Sequence, residues 1–377
     1  MDVRSQVPTL GPLKKDYAPA SSLMAALLES DVFHPAPPVR FEELGIPETF
    51  IDSLLAKEIL VAGAISGRQL ADRVCVPFGM VEPRLLALRT RNLVTHRGSA
   101  PLNDYVYALS ELGRDFAQTL MDACSYRGAV PVPLDEYINS VEAQSIRAEA
   151  PKRAQLESCC EDISVDTSIF DDLGPAVNAG AGLFLYGEPG TGKTTLAERI
   201  ARCFGQSIWI PRALYIDGEI VKLFDASYHE EIQSVGSGII KDKDFDRRWV
   251  KIRRPTVMVG GELTMDALEI SHNSKTNVSE APLQLKSNGG VLLIDDFGRQ
   301  RMNPAELLNR WIVPLEKNYD FLSLSNGKKI QVPFDQMIIF STNIDPRQLV
   351  DEAFLRRISY KIHVKDPDET EFRTLFK

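Results

Sequence analysis

Residues 187–194 run Gly187-Glu188-Pro189-Gly190-Thr191-Gly192-Lys193-Thr194 and fit the spacing G-x-x-x-x-G-K-[ST] in full. An apolar run, Leu183-Phe184-Leu185-Tyr186, precedes them, and a helical pattern from Thr194 to Phe204 follows. A loop of this kind between a strand and a helix restricts the surrounding fold to a sheet with helices packed on it. The glycines let the backbone wrap closely, so that N–H groups face phosphate oxygens. The start of the helix adds the positive end of its dipole. Lys193 is placed to neutralise the β- and γ-phosphates, and the Thr194 hydroxyl to ligate Mg²⁺. The expected phosphate-binding set is Gly187, Glu188, Pro189, Gly190, Thr191, Gly192, Lys193, Thr194 and Thr195.

From residue 166 onward, apolar runs alternate with helical stretches, the pattern of an α/β fold with a parallel sheet. The runs are Leu183–Tyr186, Ile208–Ile210, Val291–Ile294 and Met337–Phe340. Short runs of this kind suit strands buried on both faces. Val291-Leu292-Leu293-Ile294 ends in Asp295-Asp296. A strand there brings Asp295 to the sheet edge as a metal ligand beside Thr194. Asp296 is then the general base that polarises the attacking water. A helix-capping carboxylate is the plainer alternative for Asp296. Ile338-Ile339-Phe340-Ser341-Thr342 ends in Asn343, a polar terminus to a buried run and a candidate to orient that water.

The N-terminal half reads differently. Residues 1–39 carry prolines at 8, 12, 19, 35, 37 and 38 and read as an extended tail around one short helix, Ser22 to Leu28. Residues 40–130 read as a compact helical unit: Ile51 to Leu60, then Gly67 to Val74 capped by Ser66, then Met80 to Arg91. A hairpin follows (Leu93–His96, a polar tip from Arg97 to Asn103, Tyr105–Leu109), and a last helix starts near Ser110. Residues 131–165 read as a connector with a helix from Leu134 to Arg147, followed by a charged linker. The full chain of 377 residues carries a formal charge of −9, which gives no global attraction to nucleic acid or acidic membranes. No stretch reaches the roughly 20 consecutive apolar residues of a membrane helix, and the N-terminus has no apolar signal core. The five cysteines form no CxxC pair and no Cys/His cluster, so reduced thiols and a cytoplasmic setting are expected.

The P-loop, the Asp295-Asp296 pair and Asn343, in that order, resemble AAA+ ATPases over residues 166–377. The resemblance implies a three-layer parallel sheet, ATP and Mg²⁺ as ligands, and ATP hydrolysis. It makes Val291–Asp296 the Walker B strand and Asn343 the first sensor. Asp351 to Arg357 resembles the segment where this family carries its arginine finger. Arg356, and after it Arg357, is thereby expected to complete a neighbouring subunit's site. That implies a ring of copies of this chain, expected as a hexamer. Phe321 to Pro333, with Ser325-Asn326-Gly327-Lys328 between two strands, resembles the hairpin inserted before the first sensor. The long segment Asp217 to Gly290 is expected to hold extra structure. Its Val257 to Asn288 part resembles the helix-two insert of MoxR-type ATPases and enhancer-binding activators. Trp249, Lys251, Arg253 and Arg254 are candidate contacts to a protein client. The chain stops at Lys377, where Glu369 to Lys377 would begin the family's helical lid, so the lid and its second sensor are expected to be missing.

Residues 40–130 resemble the winged helix-turn-helix family, most closely over Leu85–Gly98 and Tyr105–Ala117. Two uses follow from that. One is recruitment of a protein that the ATPase remodels or activates. The other is duplex DNA bound through residues 66–110, with Met80–Arg91 as recognition helix offering Arg84, Arg89 and Arg91, and with Arg97 in the wing. Ten Lys and Arg against eleven Asp and Glu in residues 40–130 leave the unit near neutral, which favours the protein partner. A slow ATP-dependent switch is a third reading, since many relatives carry Glu where Asp296 stands.

Overall fold

The computed structural model describes residues 33–163, 166–180, 182–205, 207–232, 244–349 and 352–365. The short helix expected at Ser22–Leu28 and the expected lid start at Glu369–Lys377 lie outside them.

The first unit is α1 (Glu48–Ala62), β1 (Ile65–Ser66), α2 (Gly67–Val74), α3 (Phe78–Thr90), β2 (Val94–Ala100), β3 (Asp104–Leu109) and α4 (Glu111–Ala123). Each boundary has a chemical cause. Ser66 Oγ accepts from Gln69 N while Gln69 Oε1 accepts from Ser66 N, a reciprocal cap that starts α2. Asp104, at the hairpin tip, also accepts from Gly67 N and Arg68 N, tying hairpin to helix. Ser110 Oγ accepts from Gly113 N and starts α4. The three strands form one antiparallel sheet in the order β1-β3-β2.

The chain continues as β4 (Val132–Pro133), α5 (Leu134–Ala143), α6 (Arg153–Cys159), α7 (Ile169–Ala179), β5 (Leu183–Tyr186), α8 (Lys193–Ala201), β6 (Ser207–Pro211), β7 (Ala213–Ile216), β8 (Glu219–Lys222), β9 (Trp249–Arg253) and β10 (Thr256–Val259). Next come β11 (Ser271–Asn273), β12 (Val278–Glu280), α9 (Leu283–Lys286), β13 (Val291–Ile294), α10 (Pro304–Arg310), α11 (Ile312–Lys317), β14 (Tyr319–Ser323) and β15 (Lys329–Pro333). Last are β16 (Met337–Thr342), α12 (Pro346–Leu349), α13 (Glu352–Leu355) and β17 (Tyr360–His363). The central sheet is all parallel in the order β10-β13-β16-β5-β17, as expected of the α/β class. Cores lie on both of its faces. Leu183, Leu185, Leu293 and Ile339 pack with α7 and α8 on one side; Phe184, Leu292, Ile294 and Phe340 pack with Trp311 on the other.

The outer part of the fold differs from expectation in four places. Ile208–Ile210 is not a strand of the parallel sheet. β6 pairs antiparallel with β9, and its alternation of buried Ile208 and Ile210 with half-buried Trp209 is that of a one-faced strand. Its place is taken by β10, so Val257 belongs to the core sheet and not to an insertion. The helix from Leu134 ends at Ala143 rather than Arg147, and α6 lies where a plain linker was expected. Finally, Val132–Pro133 pairs with β7 inside a second, mixed sheet, β11-β12-β8-β7-β4.

That mixed sheet joins the two halves of the chain. Ala213, Ile220 and Val278 sit in the same core as Leu54, Leu55 and Leu85 of the first unit. Buried Arg248 pairs with Asp246 at 2.8 Å and reaches Leu44 O at 3.4 Å and Glu136 at 3.5 Å. Residues 33–38 strap across the β6–β9 ribbon: Asp246 N donates to Pro35 O, Phe33 lies 5.4 Å from Trp249, and His34 lies 5.7 Å from Trp209. The hairpin expected at Phe321–Pro333 is present as β14–β15, with Leu322, Leu324, Ile330 and Val332 buried against the mixed-sheet layer.

Candidate functional site

The site lies at the C-terminal ends of the adjacent strands β13, β16 and β5, where open α/β sheets bind ligands. β5 delivers Gly187. A Cβ at that position would meet Val364 O at 2.2 Å, so only glycine lets the loop leave the sheet beside β17. Gly192 takes φ +82° immediately before α8, the left-handed step that turns the loop into the helix. Glu188, Pro189 and Gly190 are exposed on the loop, Thr191 Oγ donates to Glu188 O, and Thr194 and Thr195 are half-buried in the first helical turn. The amides of a first helical turn have no acceptor within the helix, which suits an anion.

Lys193 is buried, and its ammonium lies inside the loop, donating to Gly187 O at 3.0 Å, Glu188 O at 2.6 Å and Thr191 Oγ at 3.3 Å. An ammonium placed inside such a loop is positioned to meet an anionic ligand. Thr194 Oγ donates to Asp295 Oδ2 at 3.0 Å, bringing a hydroxyl from the first turn of α8 to the carboxylate that follows β13. Two hard oxygen donors beside a phosphate cradle fit Mg²⁺, which keeps several waters and takes few protein ligands.

Asp295 N donates to Val259 O at 2.8 Å, at the end of the β13–β10 pairing. Asp296 follows in the left-handed region, φ +48°, exposed at the sheet edge. Asn343 Nδ2 comes to 3.4 Å from Asp296 Oδ1, a long contact. The turn after Asp296 is tied to β16: Phe297 N donates to Ser341 O at 2.7 Å and Thr342 Oγ to Phe297 O at 2.8 Å. Gln300 grips the same turn, its Oε1 accepting from Gly298 N at 2.8 Å and its Nε2 donating to Asp295 O at 3.0 Å. One strand further out, the Gly260 N–H bonds the Glu262 carboxylate and holds it below the usual carboxylate range.

The structure thus brings Lys193, Thr194, Asp295, Asp296 and Asn343 to one edge. Arg356 is exposed on the turn between α13 and β17, and Arg357 Nε pairs with Glu316 at 2.6 Å. The four candidate client contacts separate. Trp249 is buried under Phe33, and Arg254 donates to Gly289 O and Gln144 O with its side chain 7% exposed, so these two are structural. Lys251 is half-buried, while Arg253 is exposed and paired with Glu230. Gln300 has no signal in the sequence: a glutamine in a polar loop looks the same whether it faces solvent or clamps a turn.

Residues 183–366 match the family model "ATPase family associated with various cellular activities (AAA)". Over this stretch the chain is similar to that family. The match begins at β5 and runs past β17, so it contains the P-loop, Asp295, Asp296, Asn343, Arg356 and Arg357. Among solved structures, the chain is similar to a cryo-EM model of the complex between subunits BchI and BchD of magnesium chelatase. Identity is 17% and the TM-score 0.38, over 61% of this chain and 64% of that one. It is also similar to NtrX from Brucella abortus, at 15% identity and TM-score 0.32 over 56% of this chain and 35% of that one. NtrX in complex with ADP matches at 14% identity and TM-score 0.31, with the same coverage. The chain therefore spans less than two thirds of each of these proteins. No curated protein matches in sequence. No helix among the described residues is long and apolar enough to cross a membrane.

Proposed function

We propose that this protein hydrolyses ATP to ADP and phosphate at the P-loop, with Mg²⁺, and uses the turnover to remodel or activate a protein partner. The observation that carries the reading is the meeting of Lys193, the Thr194–Asp295 pair and the Asp296–Asn343 pair at one sheet edge. Residues 187–195 hold the phosphates, and Lys193 moves from the loop carbonyls onto the β- and γ-phosphate oxygens. Thr194 and Asp295 hold Mg²⁺, which supplies charge neutralisation on the phosphates. Asp296 accepts the proton of the attacking water, and Asn343 orients that water.

Arg356, with Arg357 as the second candidate, acts on the site of a neighbouring copy in a ring, expected as a hexamer. The greater exposure of Arg356 supports this order. The order helix, strand, helix, helix, hairpin, helix with a three-stranded sheet supports a winged-helix reading of the N-terminal unit. Its arginines favour a protein partner over DNA. Arg84 is bound to Asp52 by two 2.8 Å contacts, and Arg91 reaches the same carboxylate at 3.5 Å and covers the Phe116 ring. Of the four arginines proposed to meet duplex, only Arg89 and Arg97 stand clear of Asp52. No membrane partner is proposed, and the setting is cytoplasmic.

The test is ATPase rate per protomer against protein concentration, with and without duplex DNA. A rate that rises through the micromolar range and ignores DNA supports the reading. A flat rate sinks the shared site. Strong, salt-sensitive stimulation by DNA reverses the choice of partner.

A further inference from the structure

The left-handed conformation of Asp296 is the least ordinary backbone feature of the site. Most non-glycine residues avoid it; aspartate enters it more readily than most, and contacts either side of the residue decide how firmly it is held there. The β16 strand enforces only part of the turn. Its two bonds end on the N–H and C=O of Phe297; Asp296 N donates to Asp295 Oδ1 at 3.0 Å and Asp296 O accepts from Arg299 N at 3.0 Å, while the Asp295 carbonyl is taken by Gln300. Gln300 adds a side-chain restraint that bridges the turn. Its amide spans the turn, donating to Asp295 O before Asp296 and accepting from Gly298 N after it. A primary amide presents donor and acceptor on one rigid plane; neither a carboxylate nor an ammonium satisfies both contacts.

We propose that Gln300 is the positioning residue that fixes Asp296 in the left-handed conformation from which its carboxylate meets Asn343. The proposal rests on Asp296 being the base of the hydrolysis described above. Gln300 itself touches no reacting atom. Its contacts lie on the main chain either side of Asp296. Loss of the clamp frees the 295–298 turn, and the carboxylate spends less time within reach of the water. Misplacement of this order slows a chemical step without weakening nucleotide binding.

The test is kcat and KM for ATP in four full-length proteins: wild type, Gln300→Ala, Asp296→Asn and the double variant. Gln300→Glu is a fifth, size-matched variant that keeps the acceptor for Gly298 N–H and loses the donor to Asp295 O. The expected result is a kcat lower by about 10- to 100-fold in Gln300→Ala and in Gln300→Glu, with KM for ATP within about twofold of wild type. The double variant should be no slower than Asp296→Asn alone, because both changes act through one carboxylate. Wild-type kcat in Gln300→Ala, beside an inactive Asp296→Asn, overturns this proposal and leaves the base assignment standing. Losses that multiply in the double variant also overturn it. Full turnover by Asp296→Asn overturns the base assignment itself.

Discussion

At the scale of single residues, the account turns on side chains whose surroundings set their chemistry. Lys193 is the clearest. Its buried ammonium lies inside the loop, donating to Gly187 O, Glu188 O and Thr191 Oγ. Lys193→Ala should lower ATP affinity by about 100-fold or more, equivalent to about 3 kcal/mol, in a direct titration. An affinity within threefold of wild type would remove the lysine from the phosphate site. Cys159 is a second case. A hydrogen bond from the Cys203 thiol lowers its pKa to about 7, while burial pushes Cys160 up to about 11. Iodoacetamide at pH 7.5 should therefore label Cys159 well before Cys160, as read by peptide mass spectrometry; equal labelling rates contradict the assignment. Legibility at this scale divides by locality. The P-loop is one contiguous string, and Asp295, Asp296 and Asn343 end apolar runs, so their positions follow from the strands themselves. Gln300, Trp249 and Arg254 depend on what a side chain reaches across space. Arg254 closes on Gly289 O only because β9 and β10 turn back past the start of β13.

At the scale of elements, burial sets one pH dependence. His229 is buried, with Nδ1 accepting from Asp225 N at 3.0 Å and Nε2 lying 2.8 Å from Lys286 O. Burial lowers its pKa below the ordinary 6.5, and the groups facing it are the Asp225–Lys286 pair and the Phe224 ring. The unfolded chain then takes up a proton at a pH where the folded chain does not. Stability from this group is fully present above about 6.5 and is lost as pH falls through the depressed folded value. His229→Gln should shrink the fall in thermal midpoint between pH 7.5 and 5.5; an unchanged fall assigns the pH dependence elsewhere. The same scale explains which elements the sequence reveals. Val291–Ile294 and Met337–Thr342 are buried at every position, and their runs are continuous. β10 carries exposed Met258 at the sheet edge and is short, so its run resembles a loop more than a core strand. β6 shows the converse: an apolar run that packs on one face only.

At the scale of the whole molecule, the N-terminal unit and the P-loop domain do not read as beads on a linker. They share a core through Ala213, Ile220 and Val278, and Arg248 and the 33–38 strap add polar and aromatic ties. That continuity depends on β4 joining the mixed sheet, a two-residue pairing with no signature of its own in the sequence. It means that packed side chains connect the P-loop domain and the N-terminal unit. Completion of the site by a second copy belongs to this scale as well. Arg356→Ala should bind ATP normally and hydrolyse it at least about 10-fold more slowly, and should be rescued in part by mixing with Lys193→Ala, which supplies the arginine. No rescue at any mixing ratio contradicts a shared site.

The most direct test of the central claim is a comparison of ATP binding and single-turnover hydrolysis in wild type and Asp296→Asn, with Mg²⁺ present. The account predicts equal affinity for ATP in the two proteins and a rate lower by about 10²- to 10⁴-fold in the variant, which then holds ATP uncleaved. Equal single-turnover rates would contradict it.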